Sequence, residues 1–243
     1  MLPAQPNQSL IDGLSVLQAL ASAGKPVGSR EMGRQLSLEA TRVNRLLKTL
    51  AHLGIAQQTP ERQYVPGPAM HVLAAQATFG SGLIRRAIKP LESLKHFTMA
   101  VAMGVLWRDQ VVYLYHASPG GGGADAIGRT GLFPATRSAI GMALLARQAD
   151  ADVRALYDGQ DIPGFSGGIK SLLEELASIR KSGVALIKPF DDKPINSLAV
   201  AIEHEPVAIA VSGMMDRWQA EIFKNALIGV AEQISQSHVK EQL

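Results

Sequence analysis

The residues of this chain best suited to chemistry lie in "LSLEATRVNRLLKTLAHLGI", residues 36–55. On a helical wheel Thr41, Arg45, Lys48 and His52 oppose the large apolar residues, with Asn44 and Thr49 beside them and Arg42 at the edge. Arginine can donate twice to guanine O6 and N7, asparagine can pair with adenine, and threonine or lysine can hold a phosphate. These residue types suit a helix that reads DNA, and its first turns, with Thr41, Arg42, Asn44 and Arg45, would reach the bases. Ser29 and Arg30, opening the preceding helix, and Arg62, at a hairpin tip, complete the expected DNA face. A solvated charged helix, or a winged helix that binds a protein partner, is the competing reading of the same residues.

Two other motifs invite catalysis and do not sustain it. "GFSGG", residues 164–168, matches the G-x-S-x-G nucleophile pattern, but that chemistry needs a strand before the serine and "DGQDIP" is turn-rich. The four glycines 120–123 lack the G-K-[S/T] ending of a phosphate-binding loop and read as a mobile loop. The six histidines are scattered without metal-ligand spacing, so no metal, cofactor or enzymatic activity is expected.

The elements that must position the basic helix are legible from periodicity. "SLIDGLSVLQALASAG" places Leu10, Ile11, Leu14, Leu17 and Leu20 at helical spacing. Ser29 can cap a second helix, "REMGRQL", and Ser37 a third, in which Val43, Leu46, Leu47, Leu50 and Leu53 form the apolar stripe. "IAQQ" and "QYVP" flank the turn "TPER" as a hairpin, completing a winged helix-turn-helix. "PAMHVLAAQATFG" is a further amphipathic helix, followed by Gly80 and Gly82 as a hinge. The rest of the chain alternates helices with the strands "MAVAMGVLW", "VVYLYHA", "VALIKPF", "SLAVAIEH" and "PVAIAVSGMM", an α+β pattern with an antiparallel sheet. The expected domains are 1–67, a linker helix 68–82, and 83–243.

Composition agrees. The chain has 243 residues, 47% of them hydrophobic, and no cysteine, which excludes disulfides and thiolate chemistry and fits a cytoplasmic location. Its N-terminal apolar part carries Asp12 and Gln18, so neither a signal peptide nor a membrane span is expected. Residues 1–67 hold seven Lys/Arg against four acids, whereas the remainder holds 17 of each, so the excess positive charge sits in the first quarter.

Taken in order, these segments resemble the IclR family of bacterial transcription regulators. The head matches in "SLIDGLSVLQALASAG", "SREMGRQLSLEATRVNRLLKTLAHLGIAQQ" and a "YVPG" like the family's Y-x-L-G. The second domain matches in "FPATRSAIGMALLA", "LASIRKSGVA" and "LAVAIEHEPVAIAVSG". The resemblance implies a mainly α winged helix-turn-helix DNA-binding domain, a linker helix used in dimerisation, and a GAF/PAS-like α+β effector-binding domain. It also implies double-stranded DNA and a small organic acid or aromatic metabolite as partners, and a homodimer or homotetramer. Ser138, Ala139, Ile140 and Gly141 match the segment that holds the ligand's polar group, where a helix start favours a carboxylate. Ser197 and Ser212 would add hydroxyls, and Arg129 and Arg137 charge. Met142 stands where the family usually has lysine, the acidic residues that often follow its IR-x-x-G are absent, and "DDKPIN" also departs.

Overall fold

A computed structural model describes residues 5–120, 132–187 and 196–241. The chain divides into two compact units, Met1–Gly82 and Leu83–Leu243.

In the first unit, α1 (Gln8–Ser22), α2 (Ser29–Leu36) and α3 (Ala40–His52) enclose a core of Val16, Leu20, Met32, Val43 and Leu47. β1 (Ala56–Gln58) and β2 (Tyr64–Pro66) form the wing, and Val27 bridges to Tyr64 as a third rung. Two glycines are fixed by close backbone approach rather than by flexibility. A Cβ on Gly33 would come within 2.8 Å of the Leu38 carbonyl, at the turn between α2 and α3. One on Gly67, the glycine of "YVPG", would come within 2.2 Å of the Gly54 carbonyl.

Several local expectations are corrected. Gly28, not Ser29, is the N-cap of α2, and Ser29 already has helical backbone. Ser37 does not cap α3; it ends α2 in the left-handed region, φ 54°, and Glu39 precedes α3. Leu10 and Leu14 are exposed, because the inner face of α1 runs through Asp12, Val16, Ala19 and Leu20, and Leu53 is exposed at the C-cap of α3, beyond the buried Val43 and Leu47. α4 (Pro68–Gly80) forms as expected, yet residues 71–78 are all exposed, so its described residues show no buried stripe.

The second unit is built on an antiparallel six-stranded sheet in the order β5-β4-β3-β8-β7-β6. The strands are β3 (Ala100–Trp107), β4 (Gln110–Ala117), β5 (Phe133–Pro134), β6 (Ala185–Ile187), β7 (Asn196–Ala201) and β8 (Val207–Gly213). Along the central strands large and small residues alternate, so the pleat sorts them onto opposite faces. Val101, Met103, Leu198, Val200, Ile209 and Val211 pack beneath α5 (Leu83–Ser93) and α9 (Arg217–Glu241). Ala102, Ala199, Ala208 and Ala210 face the other way, beneath α6 (Ala139–Leu145) and α8 (Gly168–Ser182). The small residues let α6 lie close to the sheet, and all seven of its residues are buried. A further short helix, α7 (Asp150–Leu156), is a feature for which the sequence reading offered no element.

Candidate functional site

In the first unit, Thr41, Arg45, Lys48, Thr49 and His52 are exposed along α3, and Asn44 is half-buried beside them. Arg30 is exposed at the start of α2 while Ser29 is half-buried. Arg62 is exposed at the hairpin tip, where its amide donates to the Thr59 carbonyl at 3.0 Å. It adopts φ 61°, a left-handed conformation that a residue with a Cβ takes at a cost. Arg42 differs from its neighbours. Its Nη2 lies 2.6 Å from Oδ2 of Asp12, a carboxylate on α1 that is 4% exposed. Arg42 is therefore tied into the packing of α3 on α1, which a helical wheel of α3 alone could not show.

In the second unit, a cavity of about 170 Å³ opens on the small-residue face of the sheet, at the start of α6. It gathers Arg137, Ser138, Ala139, Ile140, Ser197 and Ser212, five of which belong to the expected effector set and one of which, Arg137, was a candidate charge partner. The strand register explains the serines. Ser197 on β7 and Ala100 on β3 both pair with Ser212 on β8, forming one row across the sheet. The two hydroxyls lie 2.8 Å apart. Ser138 is the N-cap of α6: its Oγ accepts from the Gly141 amide at 3.4 Å and lies 3.3 Å from the Tyr113 hydroxyl.

Gly141 does not line this cavity, and its smallness has another cause. A Cβ there would meet the Ala135 carbonyl oxygen at 2.2 Å, so the glycine serves the close crossing of α6 over the preceding 3₁₀ turn, Ala135–Arg137. Arg129 and most of the four-glycine loop lie outside the described residues. Met99, Met103 and Met142 are core residues, Met215 packs half-buried against the core, and Met214 is exposed. Trp107 is exposed at the far end of β3 and does not line the cavity.

The sequence reading missed the aromatic walls, Tyr113, His116 and Phe133. Tyr113 and His116 are three residues apart on one strand, a spacing that would normally send them to opposite faces. The register between β3 and β4 shifts at Met103/Gly104: Ala102 pairs with His116, but Gly104 pairs with Tyr113. This bulge brings both rings to the cavity side, T-stacked with centroids 5.7 Å apart. The site thus gathers hydroxyls, an imidazole and a guanidinium together with aromatic rings around one small cavity, a lining that suits a small molecule with an anionic group and a flat body.

Arginines hold the scaffold behind the cavity. Arg180 on α8 donates from Nε to the Ala146 carbonyl at 2.7 Å and from Nη2 to that of Gln148 at 3.0 Å, while its Nη1 lies 2.8 Å from Asp150. This is the arginine of "IRKSG", and it ties down the C-terminal end of α6. Arg147 donates to the Ile202 and Glu205 carbonyls, and the Glu205 carboxylate pairs with Arg86 of α5 in the interior. Ser166 of "GFSGG" sits in consecutive turns between Ile162 and α8, not after a strand, so the nucleophile pattern has no structural basis.

A three-helix head with a hairpin wing, joined to an α+β domain holding a small cavity lined by serines, an arginine and aromatic rings, defines a two-domain helix-turn-helix protein. Comparison with known proteins gives the family. The IclR helix-turn-helix domain matches residues 9–60, and the bacterial transcriptional regulator IclR C-terminal domain matches residues 76–236. The chain belongs to the IclR family of bacterial transcriptional regulators.

A curated relative, the HTH-type transcriptional regulator BhcR of Paracoccus denitrificans, is 30% identical over 167 residues, 64% of this chain and 58% of that protein's length. The fold is shared with an IclR family transcriptional regulator from Brucella abortus (22% identity, 96% of this chain and 93% of that chain, TM-score 0.77). It is also shared with an IclR homologue complexed with 4-hydroxybenzoate from Microbacterium hydrocarbonoxydans (18% identity, 93% and 98% covered, TM-score 0.66). Among the described residues no helix is long and apolar enough to cross a membrane.

Proposed function

We propose that this protein is a cytoplasmic, DNA-binding transcriptional regulator, working as a homodimer or homotetramer, whose operator binding is modulated by a small carboxylate held in the second unit. Thr41, Asn44 and Arg45 would reach base edges from α3, while Arg30, Lys48 and Arg62 would hold phosphates. Ser138, Ser197 and Ser212 would donate to the effector's carboxylate. Tyr113, His116 and Phe133 would flank its body, and Arg129 remains a candidate charge partner.

The observation that carries the effector reading is the convergence of Ser138, Ser197, Ser212 and Arg137, from separate segments, on one cavity of about 170 Å³. That volume lies below the ~300–1,000 Å³ of drug-sized pockets, so it favours an acid the size of a benzoate or a short aliphatic acid. The 4-hydroxybenzoate carried by the Microbacterium hydrocarbonoxydans homologue is of this size class.

The test is to incubate the full-length protein with sheared genomic DNA from its source and sequence the retained fragments, with and without 4-hydroxybenzoate and pyruvate. A few sharply enriched sites, shifted in occupancy by one acid, are expected. No retention even at low salt would overturn the DNA-binding reading in favour of a winged helix that binds protein. Sharp enrichment indifferent to acids of either shape would remove the carboxylate from the proposal.

A further inference from the structure

Among the described residues, Asp12 is the only charged side chain of the first unit that is buried. An ionised carboxylate inside a small helical core is costly unless its oxygens are occupied. Here Gln8, one turn earlier on α1, donates from Nε2 to Oδ1 at 2.7 Å, while Oδ2 accepts no hydrogen bond among the described residues and is balanced by the guanidinium of Arg42, whose Nη2 lies 2.6 Å away. Arg42 is the third residue of α3, so the pair ties the first turn of that helix to α1. The first turn of a recognition helix is the part that meets base edges, and its rotation about the helix axis decides which side chains do so. Val43 and Leu47 anchor the same helix through apolar packing, which is nondirectional; the ion pair adds an attraction at one point on the side of α3 that faces α1.

We infer that Asp12 is a positioning residue for DNA recognition: through Arg42 it fixes the rotation of α3 and withdraws Arg42 from the charges available to phosphate. This inference rests on the DNA-binding reading given above. Arg42 remains 42% exposed, so it is near enough to the surface to be drawn to DNA once its partner is lost. Because the Asp12 carboxylate neutralises it, Arg42 should release no counterion on binding, whereas Arg45, exposed one turn along and able on a random-sequence duplex to take a phosphate in place of a base edge, should.

Salt dependence separates these roles, because each phosphate neutralised contributes about 0.9 to the slope of log K against log salt. The experiment measures binding of the full-length protein to a short random-sequence duplex across a KCl series, with selection from a randomised library as a second readout. Asp12→Asn should steepen the slope by about 0.9 and broaden the selected sequence, as a released Arg42 takes a phosphate and α3 loses its setting. Arg42→Met should leave the slope unchanged and also broaden the selected sequence, while Arg45→Met should lower the slope by about 0.9.

A purely structural role for the pair would lower thermal stability without steepening the slope, and that outcome for Asp12→Asn would overturn the inference. So would an Arg42→Met variant whose slope falls as far as that of Arg45→Met. Should Asp12→Asn fail to fold, the contrast between Arg42→Met and Arg45→Met decides alone. Failure of the wild-type protein to bind the duplex at low salt would instead sink the DNA-binding reading itself, and the role of Asp12 with it.

Discussion

At the scale of single residues, Arg62 carries a conflict between local stability and proposed function. It sits at the tip of the wing with φ 61°, where glycine would be unstrained. The left-handed conformation costs a residue with a Cβ roughly 1–2 kcal/mol, an amount set against glycine's extra freedom in the unfolded chain of about 0.5–1 kcal/mol. Nothing in the head's core requires the arginine, since its side chain points to solvent. Arg62→Gly should therefore leave stability in urea at or slightly above wild type, while the salt slope of duplex binding falls by about 0.9. A loss of more than about 0.5 kcal/mol in urea, beyond the few tenths typical of a neutral surface change, would show instead that the side chain supports the wing.

At the scale of elements, α6 separates what sequence could reveal from what it could not. That a helix starts at the Ser138–Gly141 segment is legible in the sequence, as are the apolar stripe of α3 and the apolar strands of the sheet. The purpose of Gly141 is not: a glycine beside a candidate anion site looks like room for a ligand, and only the crossing of the Ala135 backbone shows otherwise. The same limit hid Tyr113 and His116, because a bulge depends on the partner strand, and hid the ion pair of Asp12 with Arg42, because it joins two helices 30 positions apart. Ser29 and Ser37 misled for a related reason. Either can cap a helix locally, but the tight turn at Gly33 ends α2 through a left-handed Ser37 and leaves Glu39 to precede α3. Gly141→Ala tests the packing reading. With a Cβ 2.2 Å from a carbonyl oxygen that belongs to backbone, α6 must shift, and urea denaturation should show a loss of about 2 kcal/mol or more. Wild-type stability with a smaller cavity would return Gly141 to the effector site.

At the scale of the whole molecule, α4 is incomplete within one chain. Its thirteen residues include no Lys, Arg, Asp or Glu, residues 71–78 are all exposed, and Val72 and Leu73 are 54% and 50% exposed. A helix of this length is marginal in water without packing, and one with so little charge gains almost nothing from solvent-facing ion pairs. Its persistence calls for a second apolar surface. The homodimer or homotetramer proposed above would supply one, since a two-fold axis can bring the same face of two copies together. Pairing would also matter for DNA. One head meets a single half-site, and joining two heads turns the second contact into an intramolecular event, raising avidity by ~10²–10⁴. Val72→Glu combined with Leu73→Glu should therefore convert the protein from dimer or tetramer to monomer in sedimentation. The same variant should lose at least about a hundredfold in affinity for a two-half-site fragment while binding a random duplex only slightly less well. If wild-type protein sediments as a monomer at the highest concentrations, α4 must be covered in some other way. If the double variant keeps its assembly, the surface that joins the copies lies elsewhere, and α4 only connects the two units.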